Sequence, residues 1–233
     1  KLEKTALDLR ITIIKMIAKA GSGHLGGSLS CADIISVLYF YQLNIDPKNP
    51  KWEDRDRFIL SKGQASVILY PILADLGFFA LDELKRFNQA DGKFGVHLQH
   101  DVPGVEITSG SLGHGFGVAT GLALGAKMNR QLHMVFCLLG DAECYEGSIW
   151  EAAMFASHNR LNNLVAIVDR NHLGVTNFTE NMVELEPFNQ KWKSFGWNVV
   201  NINGHSFEEI LHALEDIRSR KFSKPIVIIA DTV

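Results

Sequence analysis

Two polar segments stand directly after two apolar runs of the chain, and their residue types suit the binding of a metal ion. The run Met134–Leu139 leads into Gly140 and Asp141, and the run Leu164–Val168 ends shortly before Asn171. Unbroken apolar runs are typical of parallel strands that are buried on both faces. Roughly thirty residues separate Asp141 from Asn171, which suits a strand–helix–strand unit that places the carboxyl ends of two strands side by side.

The chemistry that such a pair would perform is the binding of Mg²⁺ together with a diphosphate. Mg²⁺ prefers hard oxygen ligands and commonly uses few protein groups alongside phosphate oxygens. A carboxylate from Asp141, an amide oxygen from Asn171 and a loop carbonyl would meet this need, and Gly140 leaves room for a phosphate to approach. The alternative is that Asp141 caps a helix and Asn171 forms a turn, which are common uses of these residue types.

The rest of the chain predicts an α/β fold in which helices alternate with the strands of a mostly parallel sheet. No linker or internal repeat divides the sequence, so we expect a single domain over residues 1–233. The predicted strands are Phe58–Leu60, Met134–Leu139, Leu164–Val168, Asn198–Ile202 and Pro225–Ala230. The predicted helices include 4–20, 65–76, 81–89, 113–128 and 148–158, and the predicted loops are 91–112 and 171–186.

Three helices carry patterns that indicate a face or a first residue. The first helix has apolar residues at helical spacing, namely Leu7, Ile11, Ile14 and Ala18. Ser30 followed by Asp33 resembles a capping box before a second helix. Ser206 with Glu209 predicts the cap of a later helix, whose core face contains Ile210, Leu214 and Ile217.

Composition and charge exclude several classes of protein. A net charge of −3 with no basic stripe gives no sign of a nucleic-acid partner. No run reaches the ~18 apolar residues of a membrane span.

The chain has three cysteines, Cys31, Cys137 and Cys144. An odd number without paired spacing argues against disulfides and favours a cytoplasmic location. The chain begins with Lys1, from which we expect a trimmed or processed piece.

Several motifs, in order along the chain, resemble those of the transketolase family. The segment Gly140–Ala142 followed by Asn171 resembles the thiamine-diphosphate signature, in which Gly-Asp-Gly is usual. Further similarities to transketolases lie in Ser22–Ser28, Arg55–Gly63, Pro103–Gly113 and Glu146–Glu151. The resemblance extends from about residue 5 to residue 233. It implies a three-layer α/β/α fold of the thiamine-diphosphate-binding, PP type.

The resemblance also implies which residues hold the cofactor. Asp141, Asn171 and the carbonyl of Leu173 would bind Mg²⁺, or Ca²⁺ or Mn²⁺ in its place. The backbone amide of Ala142 would contact a phosphate. The full set of implied cofactor contacts is Gln64, Gly110, Ser111, Leu112, Gly140, Ala142, Glu143 and Asn171.

Two histidines and two glutamates would take part in the reaction itself. His24 and His97 would bind the sugar substrate and act in acid–base catalysis, since imidazole titrates near neutral pH. Glu146 and Glu151 would belong to a proton-sharing acidic network across the active-site interface.

Four features depart from the family pattern. Gln64 stands where a phosphate-contacting histidine is usual, and glutamine cannot carry charge. Ala142 replaces a glycine, and His114 stands where glutamine is usual. The family also continues into a basic stretch with another active-site histidine, whereas this sequence ends at Val233.

The function that the resemblance implies is transfer of a two-carbon ketol unit from a ketose to an aldose, either of which can be a phosphate. The glutamate that activates the cofactor lies, in this family, on a second domain. We therefore expect an N-terminal subunit that needs a separate C-terminal subunit, with the pair forming a dimer of heterodimers. The alternatives are a different thiamine-diphosphate enzyme, such as a pyruvate-using synthase or a 2-oxo-acid dehydrogenase component, and a non-catalytic scaffold subunit.

Overall fold

The fold is built on one sheet of five parallel strands, as a computed structural model of the chain shows for residues 1–219 and 222–233. The strand order is β1-β2-β3-β5-β4. The strands are β1 Arg57–Leu60, β2 Val135–Gly140, β3 Leu164–Arg170, β4 Asn198–Asn203 and β5 Ile226–Asp231. All five match predicted strands to within two residues at either end, which confirms the mostly parallel α/β class.

Helices cover both faces of the sheet. The α-helices are α1 Leu2–Ala20, α2 Gly26–Leu29, α3 Ala32–Val37, α4 Ser66–Leu76, α5 His114–Met128, α6 Gly147–His158, α7 Thr179–Met182, α8 Phe188–Ser194 and α9 Phe207–Arg218. A π-helix, Leu38–Gln42, extends α3, and short 3₁₀ turns occupy Gly63–Ala65, Leu81–Arg86 and Ala142–Tyr145. The sequence did not predict α8, nor α7 within the loop 171–186.

The two faces of the sheet belong to two separate apolar cores. Alternate residues of β2 point to opposite sides, because successive side chains of a strand do so. Phe136 and Leu138 pack with α1, α3, α4 and α9, whereas Val135, Cys137 and Leu139 pack with α5, α6 and α8. The first five residues of β2, β3 and β5 are accordingly all apolar, and the three-layer arrangement is confirmed.

The face predicted for α1 is not the buried one. Helix α1 packs on α3 and α4 through Ala6, Leu9, Ile13 and Met16, which are all buried. The predicted apolar residues lie on the opposite side, where exposed fractions are 57% for Leu7, 41% for Ile11 and 49% for Ile14, and Ala18 is exposed as well. Periodicity identified a helix correctly, but α1 carries two apolar faces and only one reaches the core.

The two predicted N-terminal caps had different outcomes. Ser206 accepts a hydrogen bond from the backbone amide of Glu209, so the cap of α9 is confirmed, and Ile210, Leu214 and Ile217 are buried as expected. The capping box at Ser30 is wrong, because the Ser30 hydroxyl donates to Asp169 at 2.6 Å. Among the described helices, none has the length and apolar character needed to cross a bilayer.

Candidate active site

The turn after β2 holds Asp141 in a buried position at the carboxyl edge of the sheet. Its Oδ1 accepts a hydrogen bond from the amide of Ala142 at 2.7 Å. Its Oδ2 accepts from the amide of His172 at 2.7 Å and from Arg170 at 3.1 Å. A carboxylate offers about four acceptor positions, so one position remains on Oδ1. Since His172 directly follows Asn171, the tips of β2 and β3 converge.

Burial raises the pKa of the Asp141 carboxyl above its ordinary value. The amides of Ala142 and His172 and the guanidinium of Arg170 oppose this rise, because each stabilises the ionised form. Arg170 is itself buried and also donates to Glu180 at 2.7 Å. The Asp141 carboxylate is therefore shielded from water, while its negative charge is stabilised by neighbouring donors. A carboxylate in this state is suited to bind a cation.

The turn after β3 presents two further oxygen atoms. Asn171 Oδ1 accepts a hydrogen bond from the amide of Leu173 at 3.0 Å, which leaves one of its two acceptor positions. The carbonyl oxygen of Leu173 receives no hydrogen bond from the part of the chain that the structure describes. The side-chain nitrogen of Asn171 points the other way, toward Asp169 at 3.5 Å and Ser30 at 3.4 Å.

The donor set of these turns fits a hard divalent cation. Asp141, Asn171 and Leu173 each keep an oxygen acceptor position, and Mg²⁺ is usually bound by few protein oxygens together with phosphate. Within residues 1–219 and 222–233, no group of three His, Cys, Asp or Glu side chains could hold a metal ion. A metal site here would thus depend on amide and carbonyl oxygens beside a single carboxylate.

Two residues that the resemblance assigns to the cofactor, Ala142 and Glu143, form hydrogen bonds with other groups of the protein. The amide of Ala142 donates to Asp141, so in this arrangement it does not face a phosphate. The Glu143 carboxylate is buried and accepts from Ser61 at 2.5 Å, from the amide of Gly113 at 2.9 Å and from the amide of Gly140 at 3.0 Å. Glu143 therefore joins three loops of the site and does not present its side chain to a ligand.

The loop around Gly110 packs directly on the turn after β1. A Cβ atom on Gly63 would lie 2.6 Å from the amide nitrogen of Gly110, so only glycine permits this approach. Gln64 donates through Nε2 to the Gly110 carbonyl at 2.8 Å, while its Oε1 and the hydroxyl of Ser109 are buried without a partner among the described residues. Unpartnered buried polar atoms are uncommon, which marks this loop as a place where a polar ligand would fit.

The other implied contacts of this loop lie at the surface or near it. Ser111 is exposed, and Leu112 is half-buried beside it. Their backbone leads into Gly113, the first residue before α5. The amide of Gly113 donates to Glu143, so this loop adjoins the turn after β2.

The two histidines expected to bind a sugar are neighbours. The ring centroids of His24 and His97 are 5.9 Å apart. His24 is exposed and His97 half-buried, and a Cβ atom on Gly110 would lie 2.9 Å from the His97 ring. The histidine pair thus adjoins the Gly110 loop, although the two residues come from chain segments far apart in sequence.

The two glutamates expected at an interface are exposed on the first turns of α6. Glu146 is the residue before α6, and Glu151 lies one turn further along. Glu146 also lies close to Gly113, since a Cβ atom on that glycine would meet the Glu146 Cβ at 2.8 Å. The structure does not bring these glutamates against His24 or His97.

A buried polar cluster behind the site was missed by the sequence reasoning. Asp169 is fully buried and forms an ion pair with Lys62, and it also accepts from Ser30 at 2.6 Å and from Thr232 at 2.5 Å. Burial lowers the pKa of Lys62, but the charge and hydrogen bond of Asp169, together with Cys31 and Asp141, raise it more, so the net pKa is above its ordinary value. A charged residue at the end of an apolar run, as Asp169 is, was the available signal.

Comparison with known proteins gives the family. The family described as "Transketolase, thiamine diphosphate binding domain" matches residues 2–233. The "6-deoxy-6-sulfo-D-fructose transketolase subunit SqwG" of Clostridium sp. (strain MSTE9) is 40% identical over 233 residues, which are 100% of this chain and 84% of that protein. An apulose-4-phosphate transketolase subunit of Phocaeicola vulgatus is 38% identical, over 96% of this chain and 79% of its own length.

A solved structure agrees with these sequence relatives. The crystal structure of transketolase from Campylobacter jejuni matches with a TM-score of 0.94 and 37% identity, over 99% of this chain. This chain spans only 37% of the Campylobacter protein and 37% of human transketolase, to which it is 38% identical.

Fold and relatives together define a thiamine-diphosphate-binding α/β domain of a class of transferase enzymes. Within that class, the chain belongs to the transketolase family, as its N-terminal domain, and its relatives include the separate subunits of split transketolases.

Proposed function

We propose that this chain binds thiamine diphosphate through a divalent cation, Mg²⁺ above all, and is the N-terminal half of an enzyme that transfers a ketol unit between sugars. The observation that carries the proposal is the convergence of the two strand tips. The Asp141 carboxylate lies 2.7 Å from the amide of His172, next to Asn171, and both side chains keep a free acceptor position.

Each part of the site would have a separate task. Asp141, Asn171 and the carbonyl of Leu173 would hold the cation, and the Gly110 loop with Gln64 would support the rest of the cofactor. The cofactor, when bound, supplies the stabilised carbanion chemistry, while the protein supplies orientation and electrostatics. His24 and His97 would bind sugar hydroxyls and move protons.

The sugar substrates are proposed only as a class. Two relatives of similar length are named for 6-deoxy-6-sulfo-D-fructose and for apulose 4-phosphate, and each of these names includes an anionic group, a sulfo or a phosphate group. The ketose donor of this chain would likewise be a phosphorylated or otherwise anionic sugar, and an aldose or its phosphate would be the acceptor.

A separate C-terminal subunit would complete the enzyme. Three relatives of similar length are named as subunits, whereas this chain corresponds to 37% of human transketolase. Glu146 and Glu151 are exposed on α6 and would face a neighbouring chain in a dimer of heterodimers.

The composition suits a cytoplasmic protein, since all three cysteines are free and buried.

The experiment that tests this proposal is calorimetry of the chain together with its C-terminal partner. Thiamine diphosphate should bind in the presence of Mg²⁺ and lose affinity when the metal is removed by a chelator. Ketol transfer should then require both chains. Binding that ignores the metal, or full turnover by the isolated chain, would contradict the proposal.

A non-catalytic scaffold is the second candidate, and two contacts favour it. The amide of Ala142 is engaged by Asp141, and the donor of Gln64 is engaged by the Gly110 carbonyl, so a diphosphate would find fewer donors. The same calorimetry separates the two candidates, because a scaffold would show no metal-dependent cofactor binding even with its partner. Binding without ketol transfer would instead favour a different thiamine-diphosphate enzyme.

A further inference from the structure

Lys62 is a buried lysine that connects two loops of the site. It follows β1 closely and is only 6% exposed. Its ammonium group forms an ion pair with Asp169 at the end of β3, and it donates to the carbonyl of Gly27 in α2 at 2.7 Å. Its stem passes Gly140, since a Cβ atom there would lie 3.6 Å from the Lys62 Cδ.

The partners of Lys62 lead to residues with proposed roles on both sides. On one side, Gly27 belongs to the short helix that follows His24, and the Ser28 hydroxyl donates to the His24 carbonyl at 2.8 Å. On the other side, Asp169 stands two residues before Asn171. Lys62 is thus a physical link between the histidine loop and the turn that carries the proposed metal ligand.

The orientation of the Asn171 amide depends on what its nitrogen faces. The Asn171 Nδ2 points to the Asp169 carboxylate at 3.5 Å and to the Ser30 hydroxyl at 3.4 Å, and both can accept. The opposite end, Oδ1, is then turned away from the cluster and available to a cation. Lys62 holds the carboxylate in place, because it provides a charge-assisted hydrogen bond from within the core.

Lysine suits this position for a geometric reason. Its ammonium has three donors on a long flexible stem, so it can reach a carboxylate and a carbonyl at once. A neutral side chain of similar length fills the space without donating to either group. The connection between Gly27 and Asp169 therefore depends on the charge and the N–H donors of Lys62, and not on the size of its side chain.

We infer that Lys62 is a positioning residue, which through Asp169 orients Asn171 for the metal and through Gly27 fixes the loop that carries His24. The inference rests on the proposed function for its metal-binding part. Outer residues that orient metal ligands commonly change metal affinity by about 10- to 100-fold when replaced.

The test compares Lys62→Met with Lys127→Met in complex with the C-terminal subunit. Lys127 donates to the carbonyls of Asn159 and Arg160 at the far end of α5, so it is a matched lysine remote from the site. Calorimetry of thiamine diphosphate and Mg²⁺ should show affinity about 10- to 100-fold weaker for Lys62→Met and unchanged for Lys127→Met. Since an unpaired Asp169 would weaken the fold, Lys62→Met/Asp169→Asn serves as a charge-balanced second variant with the same expected loss of affinity.

A double-variant cycle separates positioning from a general structural role. If Lys62 acts through Asn171, then Lys62→Met should change metal affinity by less than about twofold in an Asn171→Ala background. An equal loss in both backgrounds would overturn the inference. So would wild-type affinity in Lys62→Met.

A second measurement needs no cofactor. Hydrogen exchange at the amides of Leu29 and Ser30, which bond to Leu25 and Gly26, should quicken in Lys62→Met and not in Lys127→Met. If wild type itself binds no cofactor, the proposed function fails, and the metal-orienting part of the inference fails with it. Unchanged exchange would overturn the loop-fixing part whatever the cofactor result.

Discussion

Asp141 and Asp169 lie at the tips of neighbouring strands and are both almost fully buried, yet their surroundings differ. Asp141 receives two backbone amides and one arginine, and keeps an acceptor position on Oδ1. Asp169 receives four side-chain donors, one of which is the buried ammonium group of Lys62: Lys62, Ser30 and Asn171 donate to Oδ2, and Thr232 donates to Oδ1.

The difference teaches that the partners of a buried carboxylate separate a candidate metal ligand, Asp141, from a structural group, Asp169, which with its four donors forms a cluster called the brace. A buried carboxylate is retained only when its charge is compensated, so both aspartates need partners. Asp141 is compensated with capacity left for a cation. Asp169 is compensated by the buried Lys62 and accepts from the nitrogen of the Asn171 amide, so its role is to hold the turn in place.

The largest expected effect is on stability at the brace. Asp169→Ala should lower the free energy of unfolding by about 3–5 kcal/mol, because Lys62 would remain as an unpaired charge in the core. Denaturant unfolding of the chain measures it. Asp82→Ala, which breaks an exposed ion pair with Lys85, is the control and should leave unfolding unchanged. A small loss for Asp169→Ala would show that the cluster does not hold the turns together.

The next effect should fall mainly on binding. Asp141→Asn keeps the size, but its NH2 group must face either the Ala142 amide or the His172 amide with Arg170, so one buried hydrogen-bonding arrangement is lost. We expect a free energy of unfolding lower by about 1–3 kcal/mol and metal-dependent cofactor affinity weaker by about 100-fold, or close to 3 kcal/mol. Calorimetry with thiamine diphosphate and Mg²⁺ checks it, with the exposed Asp75→Asn as control. Equal affinity in Asp141→Asn and wild type would remove the distinction between the two aspartates.

The convergence of Asp141 and the Asn171 turn was predictable from the sequence, while the brace was not. Parallel strands with intervening helices place their carboxyl ends together, so local apolar runs were sufficient. Three of the four donors to Asp169 are Ser30, Lys62 and Thr232, which are 139, 107 and 63 residues away. No local pattern connects residues at such separations, and Ser30 instead resembled a helix cap.

Helix α1 shows the same limit for the fold. Its spacing of apolar residues predicted a helix correctly, since periodicity is a local property. Both Ile13 and Ile14 are apolar, but Ile13 is buried and Ile14 is 49% exposed. Which face of α1 meets α3 and α4 depends on the packing of the whole layer, and the sequence of the helix does not contain that information.

A smaller effect should follow from removing one donor of the brace. Ser30→Ala leaves the ion pair of Asp169 but deletes a hydrogen bond to a charged group, which contributes about 1.5–3 kcal/mol to the free energy of unfolding. Ser206→Ala, which removes the helix cap of α9, should lose about 1 kcal/mol and provides the comparison. Denaturant unfolding of both variants measures the two losses of unfolding free energy. A larger loss for Ser206→Ala than for Ser30→Ala would contradict the prediction.

The smallest effect concerns a third buried aspartate, Asp33, which is ion-paired but has no proposed role in binding a metal. Its pairing should make the stability of the fold depend on pH. Burial raises the pKa of Asp33, but Arg10, with hydrogen bonds of 2.7 and 2.6 Å, and His205, at 2.7 Å, lower it more, so the net pKa is below its ordinary value.

A folded-state pKa below the unfolded value of about 3.9 means that the stabilisation is present above that pH and is lost as the pH falls through the lower folded value. Asp33→Asn should therefore be less stable than wild type near pH 7, and the difference should shrink below about pH 4. Thermal unfolding between those limits, with the exposed Asp8→Asn as control, measures the difference. A difference that stays constant with pH would mean that the ion pair with Arg10 does not stabilise the fold, and that the compensation of a buried carboxylate cannot be judged from its donors alone.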